Sequence, residues 1–168
     1  MRIFPLTLAL LMFLVSDSQH RIACRYAQTG SLKQKLEASG GLNEKVVATY
    51  VVQVLEGLGY LHHNGIVYCN LKASNILMTR SGNVKLSDFG LSLNLHTFED
   101  ADKGVSCMPN WSAPEVVDLG RASAKSDIWS LGCTVIELLT GNPPYGNMVN
   151  AIIGAGPLLC PVRHGVCC

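Results

Sequence analysis

The chain has 168 residues, 48% of them hydrophobic, and a formal net charge of +1, enough for one modest core and without the charge excess that a nucleic-acid or acidic partner would call for. Its seven cysteines are odd in number, irregularly spaced and free of any C-x-x-C pair, so neither a disulfide framework nor a zinc ribbon is indicated.

In chain order, Met1-Arg2 precedes an apolar run over 3–15 and the polar stretch Ser16-Asp17-Ser18-Gln19. Two readings stay open: a secretory signal peptide, or a strand whose turn leads into a second strand at 22–26. The run is short for a bilayer span, so a membrane location is not expected. Ser31-Leu32-Lys33-Gln34 is a capping-box start, and the short helix it opens stops at Gly40-Gly41. From Asn43, the residues Val46, Val47, Tyr50, Val51, Val54, Leu55, Leu58 and Leu61 recur at helical spacing, which predicts a long helix with one buried stripe, ended by Asn64-Gly65.

Ile66-Val67 begins an extended stretch. Ile76-Leu77-Met78 and Val84-Lys85-Leu86 read as two strands joined by Arg80-Ser81-Gly82-Asn83. Residues 91–112 have no sustained period and are predicted to form a long functional loop. In 126–140 the apolar residues Ile128, Trp129, Leu131, Val135, Ile136, Leu138 and Leu139 surround a helix, which predicts central burial; Gly141-Asn142-Pro143-Pro144 stops it. Residues 149–168 show no period and are expected to be an unstructured tail. The spacing of its Cys160, His164, Cys167 and Cys168 matches no familiar zinc site.

Three ordered motifs carry the chemistry: Tyr68-Cys69-Asn70-Leu71-Lys72-Ala73-Ser74-Asn75, then Asp88-Phe89-Gly90, then Ala113-Pro114-Glu115. Together they resemble the protein kinase pattern His-Arg-Asp-Leu-Lys-x-x-Asn, Asp-Phe-Gly and Ala-Pro-Glu. The segments Tyr26-Ala27-Gln28-Thr29-Gly30-Ser31-Leu32 and Ser126-Asp127-Ile128-Trp129-Ser130-Leu131-Gly132 are similar to Ste-type serine/threonine kinases, above all mitogen-activated kinase kinase kinases and septation-pathway kinases. The resemblance implies an α+β protein-kinase-like fold, mostly the helical large lobe with a small hairpin, truncated at both ends and occupying 16–148, between the apolar 1–15 segment and the 149–168 tail. It also implies ATP-dependent phosphoryl transfer to protein, with ATP and Mg2+ as cofactors, a protein substrate or kinase partner, and a cytoplasmic location where ATP is present. The sequon Asn110-Trp111-Ser112 would matter only in an exported chain.

Carried over residue by residue, the resemblance puts Asn75 and Asp88 on the metal, Lys72 on the transferring phosphate, the Ala27 backbone at the adenine hinge and Leu77 beneath the adenine. Phe89, Glu115 and Asp127 take structural roles, Asp127 by capping backbone donors of the catalytic loop; an ordinary helix N-cap is the alternative for that residue. The departures are as informative. Asn70 stands where the family has a catalytic aspartate, and an amide has no lone pair basic enough to accept the substrate proton. Cys69 replaces the arginine that would pair with phosphates on Ser92, Thr97 or Ser106. Tyr68 replaces a histidine under Phe89, and Met108 replaces a threonine that touches the catalytic aspartate and lysine. Within these 168 residues no Gly-rich phosphate loop, lysine strand or partner glutamate precedes the hinge-like segment, and no basic partner for Glu115 follows. Expected, therefore, is a kinase-like domain of impaired activity, with a pseudokinase scaffold or regulator and a partial, non-functional gene product as alternatives.

Overall fold

The structure is a computed structural model, and it describes residues 30–96 and 108–145. The architecture is α+β and helix-dominated: α1 (Leu32–Ser39), α2 (Glu44–His63), β1 (Ile66–Val67), a single 3-10 turn (Ala73–Asn75), β2 (Ile76–Met78), β3 (Val84–Leu86), β4 (Leu93–Asn94), α3 (Pro114–Leu119) and α4 (Ala124–Thr140).

Helix α1 starts as its sequence prescribes, with the Ser31 hydroxyl accepting from the Gln34 amide and the Gln34 side chain accepting from the Ser31 amide. In α2 the Asn43 side chain caps the Lys45 amide. The stripe of α2 is narrower than its spacing suggests: Val47, Tyr50, Val54, Leu58 and Leu61 are buried, whereas Val46 and Leu55 lie at the exposed flanks. Fully burying each such residue stabilises by about 1.5–3 kcal/mol, so these five supply much of the core. Leu32, Leu36, Leu71, Ile76, Val84, Leu131 and Leu138 complete it.

Two small antiparallel ladders frame the catalytic-loop motif. β2 and β3 pair with Ile76 opposite Leu86 and Met78 opposite Val84, and the Gln53 side chain of α2 accepts from the Val84 amide at 2.9 Å. Ser31 adds a bridge to Leu77 on the other edge of β2. β1 pairs with β4, Val67 opposite Leu93, so the stretch read as a structureless loop contributes a two-residue strand. Residues 97–107 of that stretch lie outside the described residues, as do Thr97 and Ser106.

The long helix α4 corrects the sequence expectation twice. It begins at Ala124, two residues before the start read from the sequence, and is capped by a Ser123/Ser126 capping box, which removes the N-cap alternative for Asp127. Nor is it buried all round: Ile128 is 49% exposed, Trp129 43%, Ile136 46% and Leu139 41%. The buried face instead carries Ser126, Asp127, Leu131, Cys133, Thr134, Glu137 and Leu138. Its C-terminus approaches the α1–α2 link closely, the Leu42 amide donating to the Leu138 carbonyl at 2.8 Å. A Cβ on Gly41 would stand 2.4 Å from the Leu139 carbonyl oxygen, and one on Gly141, whose φ is +79°, 1.8 Å from that of Gly40. Glycine is required at both positions by contact with backbone.

Candidate active site

The loop between β1 and the 3-10 turn is held from behind by a polar stripe on α4. Asp127, 1% exposed, accepts from the backbone amides of Tyr68 and Cys69, each at 2.8 Å, and meets His62 Nε2 at 2.8 Å. Hydrogen bonds to a charged acceptor contribute about 1.5–3 kcal/mol each, and an orphaned buried amide costs about 1–3 kcal/mol, so this carboxylate fixes the loop's path. Two and three turns further along α4, Thr134 lies near the Leu71 carbonyl (Oγ1 to O, 3.4 Å) and Glu137 Oε2 accepts from the Ala73 amide at 3.0 Å and from Trp111 Nε1 at 2.9 Å. Ser130 donates to the Trp111 carbonyl at 2.7 Å. Positions 127, 130, 134 and 137 recur at helical spacing, so one line of side chains reaches the whole loop.

The loop's front brings the motif residues together. Asn70, 4% exposed, donates through Nδ2 to Asp88 Oδ2 at 3.0 Å and to the Asp88 carbonyl at 3.3 Å. Its Oδ1 is buried without a hydrogen-bond partner in the structure. Asn75 donates to the Asn70 carbonyl at 2.8 Å, and the Ser87 amide and hydroxyl both donate to the Asn75 carbonyl. Asp88 is solvent-exposed at a φ of +53°, a left-handed conformation uncommon for a residue with a side chain. Asn70, Asn75 and Asp88 thus form one hydrogen-bonded group with oxygen ligands available, a donor set that suits a hard divalent cation such as Mg2+.

Lys72 points elsewhere within this site: its Nζ lies 2.9 Å from Met108 Sδ and 6.0 Å from the Trp111 ring centroid. Met108 thus meets Lys72 with a weak thioether acceptor in place of a hydroxyl. Tyr68 is fully buried and its hydroxyl donates to the Ser87 carbonyl, while its ring meets Phe89 edge-on, centroids 5.3 Å apart. Burial, reinforced by Asp88 and Asp127, holds the Tyr68 phenol far above its usual range and keeps it a donor. Burial likewise pushes the Cys69 thiol up to about 12, with Asp127 adding to the effect. Ser92 donates to the Tyr68 carbonyl at 3.1 Å.

Of the remaining residues singled out by sequence, Leu77 lies half-buried on β2 and Glu115 sits in the first turn of α3, with no cation within ion-pair distance among the described residues. Ala27 lies outside the described residues. Among those described, no three His, Cys, Asp or Glu side chains group as a metal site, and no helix is long and apolar enough to cross a membrane. Sequence reasoning missed His62, Thr134 and Glu137 as contacts of the loop. Glu137 had a signal, a carboxylate on an apolar helix face ten residues after Asp127; His62, at the end of α2, had none.

Comparison with protein-family models matches residues 5–155 to the protein kinase domain. Cell division control protein 7 of Schizosaccharomyces pombe is 48% identical over 124 residues, covering 74% of this chain and 12% of the yeast protein. Cytokinesis protein sepH of Aspergillus terreus is 46% identical over 136 residues, 81% of this chain and 10% of that protein. MAP3K epsilon protein kinase 1 of Arabidopsis thaliana is 46% identical over 126 residues, 74% and 9% respectively. The chain spans roughly a tenth of the length of each of these relatives, and the likeness is in line with the Ste-type resemblance of its motifs. With the kinase model matched across most of its length, the catalytic-loop and Asp-Phe-Gly motifs meeting in one group, and relatives of this kind, the chain belongs to the protein kinase domain family.

Proposed function

We propose that this chain contributes a serine/threonine kinase-like domain that takes ATP with Mg2+ and in which phosphoryl transfer is strongly impaired. The observation that carries the reading is the amide of Asn70, buried in the base position and donating to Asp88. Phosphoryl transfer asks the protein for an aligned hydroxyl and for charge stabilisation around the phosphate. Asn75 and Asp88 are the residues that would hold Mg2+, which supplies neutralisation of phosphate charge when bound. Lys72 supplies a cation at the same loop. Asn70 is a neutral amide whose Nδ2 donates to Asp88 and whose Oδ1 is buried, so it cannot take the proton of a substrate hydroxyl. Loss of that proton acceptor removes about two to four powers of ten in rate, or roughly 3–5 kcal/mol of barrier lowering.

By likeness to the MAP3K and septation relatives, the partner is a protein, either a substrate or another kinase, and the setting is cytoplasmic signalling. A second reading, a pseudokinase module that acts by binding alone, is favoured by the apolar side chains Ile128, Trp129, Ile136 and Leu139 that α4 presents to solvent. Titrating the purified chain with ATP and MgCl2, and assaying phosphate transfer to a generic serine/threonine protein substrate, tests the first reading. The proposal expects Mg2+-dependent nucleotide binding that Asp88→Ala abolishes, with transfer near background. Full-rate transfer would refute the impairment, and nucleotide binding indifferent to Asp88→Ala would refute the site.

A further inference from the structure

Glu137 is 2% exposed, and among the described residues it is the deepest carboxylate that the motif reading left without a role. A single oxygen of it, Oε2, accepts from two donors that belong to different segments: the Ala73 amide at 3.0 Å, in the residue that follows Lys72, and Trp111 Nε1 at 2.9 Å, in the segment that precedes α3. Trp111 in turn presents its ring toward Lys72, with Nζ 6.0 Å from the ring centroid, at the outer reach of a cation–π contact. The backbone of Trp111 is fixed separately, since its carbonyl accepts from Ser130 at 2.7 Å.

From this arrangement we infer that Glu137 is a positioning residue for Lys72. It holds the lysine's own backbone through Ala73 and holds the indole face that the ammonium approaches. Two of the lysine's surroundings, its loop and its ring neighbour, thereby answer to one buried oxygen on α4, while the third, Met108, offers only a thioether. A lysine has four rotatable side-chain bonds and a mobile ammonium, so a fixed neighbour on one side narrows where the charge can sit. The use of this placement in phosphoryl transfer rests on the function proposed above; the placement itself does not.

The test reads Lys72 directly. Lysines of the chain are reductively methylated with 13C-formaldehyde and the Lys72 resonance is assigned with Lys72→Arg. The expected result is a Lys72 methyl signal displaced upfield of the other lysines by the Trp111 ring. Because only one oxygen of Glu137 is used, Glu137→Gln is expected to keep that displacement, whereas Glu137→Leu, which cuts the anchor, is expected to lose it, and Trp111→Phe, which removes the indole, shows that the displacement comes from that ring. A Lys72 signal that is unchanged in Trp111→Phe, or in a Glu137→Leu chain that circular dichroism shows to be folded, would overturn the inference; if Glu137→Leu does not fold, Glu137→Ala, which removes the same oxygen, is read in its place. Adding ATP and MgCl2 to the same sample separates the two claims. A Lys72 signal that ignores the nucleotide contradicts the proposed function and leaves the role of Glu137 standing.

Discussion

The back and the front of the catalytic loop differ in kind. Behind it, every polar side chain that α4 sends inward meets a partner: Asp127 meets two amides and His62, and Glu137 meets Ala73 and Trp111. In front, the partners are mismatched. Asn70 leaves a buried oxygen unpaired while its amide ties up Asp88, and Lys72 faces a sulfur. The polar network that shapes a kinase loop and the groups that perform its chemistry are therefore separable: a chain can keep the first complete while the second is altered.

The largest effect that would break this contrast falls on the back. Asp127→Ala leaves a buried amide, that of Tyr68, and a part-buried one, that of Cys69, without an acceptor, and urea unfolding should show a loss of about 3–5 kcal/mol. A loss under about 1 kcal/mol would mean that the stripe does not hold the loop. Gly141→Ala comes next: with φ at +79° and the Gly40 carbonyl in the way, it should cost about 1–3 kcal/mol in the same measurement.

On the front, Met108→Thr gives Lys72 a hydroxyl acceptor in place of the thioether. It is expected to change nucleotide affinity or transfer rate only a few-fold, consistent with about 0.5–1.5 kcal/mol for one hydrogen bond, and to leave stability nearly unchanged. The smallest effect concerns Cys69. With its thiol raised to about 12, alkylation by iodoacetamide at pH 8 should be much slower than for the same chain unfolded in urea. The sign of the linkage follows: the unfolded thiol ionises near its usual 9.0 while the folded one stays protonated, so this contribution to stability is intact below pH 9 and falls as pH climbs toward 12.

Much of this was readable in the residues, for reasons that differ by element. Helix starts at Ser31 and Asn43 were legible because capping is local chemistry, and the β2–β3 hairpin because both strands and their turn are contiguous. The β1–β4 pairing was not, since two-residue strands carry no period and meet across 25 residues of chain or more. α3 spans only six residues, too few for a repeat, although Pro114 marks its first turn. Spacing identified α4 as a helix but misjudged its burial, because apolar residues around a helix show what could be buried and not which side has something to pack against. In the site, motif order located Asn70, Asn75 and Asp88; the bond between Asn70 and Asp88 depends on side-chain geometry that no motif encodes.

The central claim is that the amide at position 70 limits phosphoryl transfer, and Asn70→Asp tests it most directly. Transfer from ATP in the presence of MgCl2 to a generic serine/threonine substrate should rise by about two to four powers of ten over the unsubstituted chain, and Asp88→Ala in the same background should abolish it. An unsubstituted chain that already transfers phosphate as fast as the Asn70→Asp variant, with both silenced by Asp88→Ala, would contradict the account.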